Sequence, residues 1–129
     1  MAFYLRLALA LTAFAGVQVA VLAEGDYSRG QGLYQNLCVA CHSIAYNGVG
    51  PAHKNLFGRK AGSLPDYGYS PALASAGIVW NAATLDRWLL NPEKLVPGQK
   101  MGFMVPSSQD RADLIAYLKS ATASPSTQP

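Results

Sequence analysis

The residues of this chain with the most specific chemistry are two cysteines and a histidine within five positions. Cys38-Val39-Ala40-Cys41-His42 contains both cysteines of the chain and one of its two histidines. Two thiols at this spacing can add to the two vinyl groups on one edge of a porphyrin, and the adjacent imidazole then points at the iron. C-x-x-C-H is the attachment pattern of c-type haem. The motif therefore predicts one covalent haem, held through Cys38 and Cys41, with His42 as an iron ligand.

Three other uses of this motif fit the sequence less well. A redox dithiol of the thioredoxin kind is expected in a βαβ context, and no strand pattern of that kind occurs. A zinc site needs four ligands, and the only other histidine is His53. A structural disulfide between Cys38 and Cys41 leaves His42 without an explanation.

A haem ligated by His42 on one side needs a sixth ligand on the other. The candidates are Met101, Met104 and His53. Met101 lies in a segment stiffened by Pro97 and Gly98. Such a turn can present a thioether at a fixed position, so Met101 is favoured as the sixth ligand. Met104 is interpreted as packing or as a competing ligand, and His53 as a surface or loop histidine.

The elements that position these residues are predicted to be helices. Apolar residues recur at helical spacing over 28–38, 84–91 and 109–122. Thr84 is the predicted N-cap of the second helix, which Pro92 ends, and Ser107 or Ser108 is the predicted cap of the third. Residues 43–79 are rich in Gly, Pro, Asn and Ser and predict a long loop, which a small domain tolerates when the loop wraps around a cofactor.

Composition places the chain among single-domain globular proteins. It has 129 residues, of which 50% are hydrophobic and 13% charged, with a formal net charge of +3. That apolar fraction argues against disorder, two cysteines are too few for a disulfide scaffold, and the charge is too small to indicate a nucleic-acid binder.

The first 23 residues read as an export signal. One basic residue, Arg6, precedes an apolar run over 7–23 that ends in Val21-Leu22-Ala23, and this order is typical of a cleaved signal peptide. The alternative is an uncleaved membrane anchor. Residues 24–121 then form the domain, residues 122–129 are expected to be a flexible tail, and a bacterial source would place the protein in the periplasm.

Together these features resemble the class I cytochromes c, in particular the group of bacterial cytochrome c2 and mitochondrial cytochrome c. The likeness extends over residues 26–121. The segments that carry it are Gly30 with Tyr34, Cys38-Val39-Ala40-Cys41-His42, Gly50-Pro51, 56–62, 67–70, 77–80, Asn91-Pro92, 97–103 and 113–119.

The resemblance implies an all-α fold of about three to five helices with long loops around one covalent haem. Gly30, otherwise a poor helix former, would allow the first and last helices to cross closely. The family pattern makes His42 and Met101 the axial ligands, with the Pro51 carbonyl accepting a hydrogen bond from His42. It places three residues around the haem propionates: Arg59, Tyr69 and Trp80.

The chain departs from the family at four positions near the expected haem. Trp88 replaces a tyrosine whose hydroxyl reaches the methionine sulfur, and its indole N–H either replaces that contact or points elsewhere. Leu73 and Ala52 replace asparagines, and Gln99 replaces a threonine. The resulting apolar surroundings favour ferrous iron, so we expect a reduction potential at the high end of the group and a lower one if Trp88 becomes tyrosine.

The function implied is that of a monomeric single-haem electron carrier, not an enzyme. The family's role is to take one electron from a cytochrome bc complex and deliver it to a photosynthetic reaction centre or a terminal oxidase. Docking is expected at the haem edge near Lys60, Lys100 and Phe103. Two alternatives stay open: a haem peroxidase or gas-binding sensor with a displaceable methionine, and the same carrier tethered by its N-terminal segment.

Overall fold

Five helices and the segments that join them make up the described part of the chain, residues 24–123 of a computed structural model. The helices are α1 Tyr27–Leu37, α2 Pro71–Ala74, α3 Ala82–Leu90, α4 Pro92–Leu95 and α5 Ser108–Ala121. Within these residues the only β pairing is an isolated antiparallel bridge between Lys60 and Val79. The predicted all-α class is confirmed, and the two four-residue helices add to the three that periodicity predicts.

Helices α1 and α5 cross with almost no space between their backbones. A Cβ atom on Gly30 would lie 2.0 Å from the carbonyl oxygen of Asp113, so only glycine fits at this crossing. Beside it, the Tyr34 and Tyr117 rings pack with their centroids 5.1 Å apart, and Leu114 is buried in the same cluster. The expected role of Gly30 is confirmed, because close approach compensates for its poor helix propensity.

A buried carboxylate ties the same two helices together. Asp113 is fully buried and accepts hydrogen bonds from the backbone N–H of Asp26 at 2.7 Å and from Gln109 at 2.9 Å, and it pairs with Arg29. Although desolvation by burial raises the pKa of Asp113, these hydrogen bonds outweigh it and leave the pKa below its usual value. Asp113 therefore stays ionised and fixes the start of α1 against α5.

The start of α3 differs from the prediction. Asn81, not Thr84, is the N-cap, and the two form a capping box: the Asn81 side chain accepts from the Thr84 N–H while the Thr84 hydroxyl accepts from the Asn81 N–H, both at 2.9 Å. The predicted end at Pro92 holds, because Asn91 caps α3 and Pro92 begins α4. Ser107 is the cap of α5, one of the two serines predicted.

The end of α5 corrects the predicted tail. Thr122 is only 3% exposed, its hydroxyl donates to the Leu118 carbonyl at 2.7 Å, and its carbonyl accepts from the Asn55 N–H. It belongs to the folded domain because it caps α5 and anchors the loop. The remaining tail prediction, and the export signal over residues 1–23, lie outside the described residues. Within 24–123 no helix is both long enough and apolar enough to cross a bilayer.

Candidate haem site

The Cys-x-x-Cys-His motif forms a tight turn at the end of α1. Cys38 caps the helix, with its N–H donating to the Tyr34 carbonyl at 2.9 Å, and the N–H groups of Cys41 and His42 both donate to the Cys38 carbonyl, at 3.1 and 2.9 Å. Burial raises the pKa of the Cys38 thiol to about 11. An activated redox thiol has a lowered pKa, so the environment of Cys38 does not favour dithiol exchange.

One cavity gathers every residue that the sequence predicts for the site. Its volume is about 580 Å³, within the range typical of cofactor pockets. The predicted residues on its wall are Cys38, Cys41, His42, Pro51, Arg59, Tyr69, Trp80, Trp88 and Met101. They come from the turn after α1, from the segment that joins it to α3, from α3 itself and from the segment before α5, so distant parts of the chain converge on this cavity.

His42 is held in the form that binds a metal. Its Nδ1 lies 2.8 Å from the Pro51 carbonyl oxygen, the contact that the family pattern predicts. A carbonyl can only accept, so Nδ1 carries the proton and the neutral ring keeps its lone pair on Nε2. Burial lowers the pKa of His42 and favours this neutral form, although the hydrogen bond to Pro51 opposes the shift. A Cβ on Gly50 would lie 2.2 Å from the ring, which leaves no room for a side chain there.

Trp88 contacts Met101, which settles the direction of its indole. The indole Nε1–H donates to the Met101 sulfur at 3.2 Å. Trp88 is 7% exposed, and its ring packs edge-on against Trp80, with 5.5 Å between centroids. Of the two alternatives that the sequence leaves open, the structure has the first: the indole replaces the phenol as the donor to the methionine sulfur.

The backbone at Met101 is fixed by Gln99, which the sequence marks only as a departure from the family, and by Glu93, which sequence reasoning does not identify. The Gln99 side-chain oxygen accepts from the Met101 N–H, and the Gln99 amide nitrogen donates to the Glu93 carboxylate at 3.1 Å. The same carboxylate accepts from the Gly98 N–H at 3.0 Å, and Gly98 has a φ of 89°. Gln99 thus links the first turn of α4 to the candidate ligand, a link that depends on the folded loop and leaves no local signal.

Arg59 offers a buried donor that nothing in the described chain accepts. Its two terminal nitrogens donate to the carbonyls of Lys54 at 2.6 Å and Ala52 at 2.9 Å, whereas its Nε is buried and has no partner within residues 24–123. An unsatisfied buried donor on a cationic group is costly unless an anion reaches it. The cavity wall therefore suits a ligand that carries a carboxylate, as a haem propionate does.

The other two candidate ligands are placed differently. Met104 is 51% exposed, and its side chain does not line the cavity. His53 is the loop residue predicted, but it is partly buried: its ring stacks on His42 with centroids 4.3 Å apart, and its Nδ1 is 3.0 Å from the Tyr34 hydroxyl. Burial lowers the pKa of His53 to about 3, so it is neutral.

Known proteins agree with this geometry. The sequence profile of the family described as cytochrome c matches residues 27–122. This chain belongs to the cytochrome c family. It is 45% identical to cytochrome c2 of Rhodomicrobium vannielii over 74% of this chain and 79% of that protein, and 44% identical to cytochrome c of Gibberella zeae over 78% and 99%. The solved structure of cytochrome cH from Methylobacterium extorquens is similar, with a TM-score of 0.71, 42% identity and coverage of 74% and 99%.

Membership establishes the cofactor and the general activity. As a cytochrome c, the protein binds one haem c covalently through Cys38 and Cys41 and acts as a single-haem electron carrier. The chain's own residues fit that group: the thiols sit at one end of a cofactor-sized cavity, His42 presents Nε2, and Arg59 holds a free donor.

Proposed function

We propose that this cytochrome c is exported to the periplasm and carries one electron at a time from a cytochrome bc complex to a photosynthetic reaction centre or a terminal oxidase. His42 and Met101 would hold the haem iron. The bound haem supplies one-electron exchange between ferrous and ferric iron, and no substrate bond is made or broken. The observation that carries the proposal is that an imidazole with Nδ1 tied to Pro51 and a thioether held by Trp88 line one cavity.

Different residues of the chain would then orient the two iron ligands and surround the haem propionates. Pro51 and Gly50 orient the His42 ring, and Trp88 orients the Met101 sulfur. Three further residues of the cavity wall are proposed to surround the propionates: Arg59, Tyr69 and Trp80. Partial burial lowers the pKa of Arg59 and raises the pKa of Tyr69, because it disfavours the charged guanidinium and the charged phenolate, so both side chains would face a propionate as protein hydrogen-bond donors.

The proposed ligand pair is tested by the visible spectrum and redox titration of the purified holoprotein. We expect a low-spin ferric spectrum with a far-red methionine–iron charge-transfer band and a reversible one-electron potential. A high-spin ferric spectrum would contradict the proposal and favour the peroxidase or gas-sensor alternative, which needs an open sixth position.

Export is tested separately on protein recovered from the native or a heterologous bacterium. We expect the intact mass of the holoprotein to correspond to a chain that starts at Glu24, found in the periplasmic fraction. A full-length mass in the membrane fraction would replace this proposal with the tethered carrier.

Trp88 is expected to raise the reduction potential. A donor to the thioether sulfur draws electron density from the ligand and so favours ferrous iron. Replacing Trp88 with phenylalanine keeps an apolar ring but removes the N–H, and a net hydrogen-bond contribution of about 0.5–1.5 kcal/mol corresponds to a decrease of roughly 20–60 mV for one electron. Redox titration measures the change, and the charge-transfer band reports that Met101 is still bound. An unchanged potential would remove Trp88 from the explanation.

Partner docking is expected to depend on short-range apolar contact. Phe103 is 41% exposed and Val49 is 77% exposed, and both line the cavity mouth beside Lys100. The chain has only five lysines, and one of the positive charges that make up its net +3, Arg6, lies in the predicted export signal. Long-range electrostatic steering of a redox partner is therefore weak.

The rate of electron transfer to a purified oxidase or reaction centre should therefore fall only shallowly with added salt, and stopped-flow or flash kinetics across a range of ionic strength measures it. Phe103→Ala is expected to slow the reaction more than Lys60→Gln. A steep salt dependence, or the reverse order of the two variants, would contradict apolar docking.

A further inference from the structure

A chain of three rings runs from the helix crossing to the proposed iron ligand. Tyr34 of α1 is 2% exposed, and its ring packs against Tyr117 of α5. Its hydroxyl is 3.0 Å from Nδ1 of His53, and the His53 ring stacks on His42 at 4.3 Å with 21° between the planes. Neither Tyr34 nor His53 is among the residues proposed above to hold haem.

We propose that His53 is a positioning residue for the imidazole of His42, held in place by Tyr34. The inference rests on the proposed function, because it takes His42 as the axial ligand. His53 does not touch the metal in this scheme. It acts through the ring on which it stacks.

The geometry explains why a second restraint is useful. The hydrogen bond from His42 Nδ1 to Pro51 fixes one edge of the ring, but a single hydrogen bond leaves the ring free to tilt about the line through that bond. A nearly parallel ring at stacking distance opposes that tilt, since aromatic pairs have preferred offsets and angles. Gly50 limits the space next to the same ring.

Tyr34 holds the His53 ring in place. Its ring also makes an edge contact with the His53 ring, with 5.7 Å between centroids. Because Tyr34 is packed into the α1–α5 crossing, the orientation of the proposed ligand is tied to the most closely packed part of the fold. A side chain held by one hydrogen bond and one edge contact, both with Tyr34, gives a defined surface against which His42 rests.

The experiment compares three holoprotein variants: His53→Leu removes the ring, His53→Phe keeps it, and Tyr34→Phe removes only the hydroxyl. In low-spin ferric haem the imidazole plane determines the spread of the haem-methyl proton shifts and the anisotropy of the electron paramagnetic resonance signal. Both readouts respond to ring orientation, whereas a general loss of stability alters the melting curve and leaves them unchanged.

We expect His53→Leu to change the haem-methyl pattern clearly and His53→Phe to change it less, with Tyr34→Phe moving it in the same direction as His53→Leu. Unchanged spectra in His53→Leu, or equal changes in the leucine and phenylalanine variants, would overturn the role of stacking. If the leucine variant does not fold, an unchanged pattern in Tyr34→Phe overturns the proposal instead.

Failure of this inference is distinguishable from failure of the proposed function. If wild-type protein lacks the methionine–iron band and the low-spin signal, the proposed ligand pair is wrong whatever the variants do. If wild type shows both and His53→Leu leaves the shifts unchanged, only the positioning role is wrong.

Discussion

Replacing both Cys38 and Cys41 with alanine is expected to yield a chain without covalent haem and without a cooperative fold. The residues that would otherwise form a core line a cavity of about 580 Å³. At about 24 cal/mol per Å³, an empty cavity of that size costs on the order of 10 kcal/mol. A domain of this length has a total free energy of unfolding of about 5–15 kcal/mol, so loss of the cofactor removes most of it.

The measurement is circular dichroism with thermal melting, next to the absorbance of haem that survives denaturing electrophoresis. Cys41→Ala is the matched control, because Cys41 is exposed and Cys38 still provides one thioether bond. We expect the single variant to keep covalent haem and native helix content at reduced yield. A haem-free double variant that keeps native helix content and melts cooperatively would show that the protein core is complete without the cofactor.

The parts of this protein that sequence reasoning predicts are those set by local chemistry. The attachment motif, the periodic helices and the proline that ends α3 are each defined within a few residues, and the structure has them. Where two neighbouring residues are both suitable caps, as Ser107 and Ser108 are, the sequence does not select between them. At α3 the sequence predicts Thr84, but the N-cap is Asn81, three positions earlier, in a capping box that uses both side chains.

Contacts between residues that are far apart in the sequence are the features of the structure that sequence reasoning does not predict. Arg29 and Asp113 are 84 positions apart, and Tyr34 and His53 are 19 apart. A lone histidine in a loop rich in glycine and proline is typical of a surface residue, and only the folded loop brings His53 against His42. The sequence predicts Thr122 as the start of a polar tail, and the contact that composition cannot reveal is the hydrogen bond from the distant Asn55 N–H to the Thr122 carbonyl.

A haem would explain the long loop over residues 43–79, the part of the sequence that is least compatible with a core made of protein alone. Residues 43–79 contain only one four-residue helix, α2, yet Leu56, Ala61 and Ser70 from this stretch are buried. The segment lines the cavity through Arg59, Tyr69 and Leu73, so a bound haem would complete its packing. The same loop therefore serves both the fold and the function, since it completes the domain and also forms part of the wall of the site.

Met101→Ala is expected to have the largest effect on the redox chemistry. A thioether ligand favours ferrous iron, and the choice of axial ligands sets haem potentials over roughly 0.8 V. We expect the far-red band to vanish, the ferric protein to accept an added ligand such as imidazole or azide, and the potential to fall by about 0.2–0.3 V of that range. The Trp88 indole also loses its acceptor, so the variant should unfold at a lower temperature.

Met104→Ala is the matched control for this change. Met104 is the same residue type three positions away, but it is half exposed and does not line the cavity. It should therefore keep the band and a potential close to that of wild type. If Met104→Ala lost the band and Met101→Ala kept it, the sixth ligand would be Met104, and the contacts of Gln99 and Trp88 with Met101 would need another explanation. Because those two side chains fix the backbone and the sulfur of Met101 and neither contacts Met104, the geometry favours Met101.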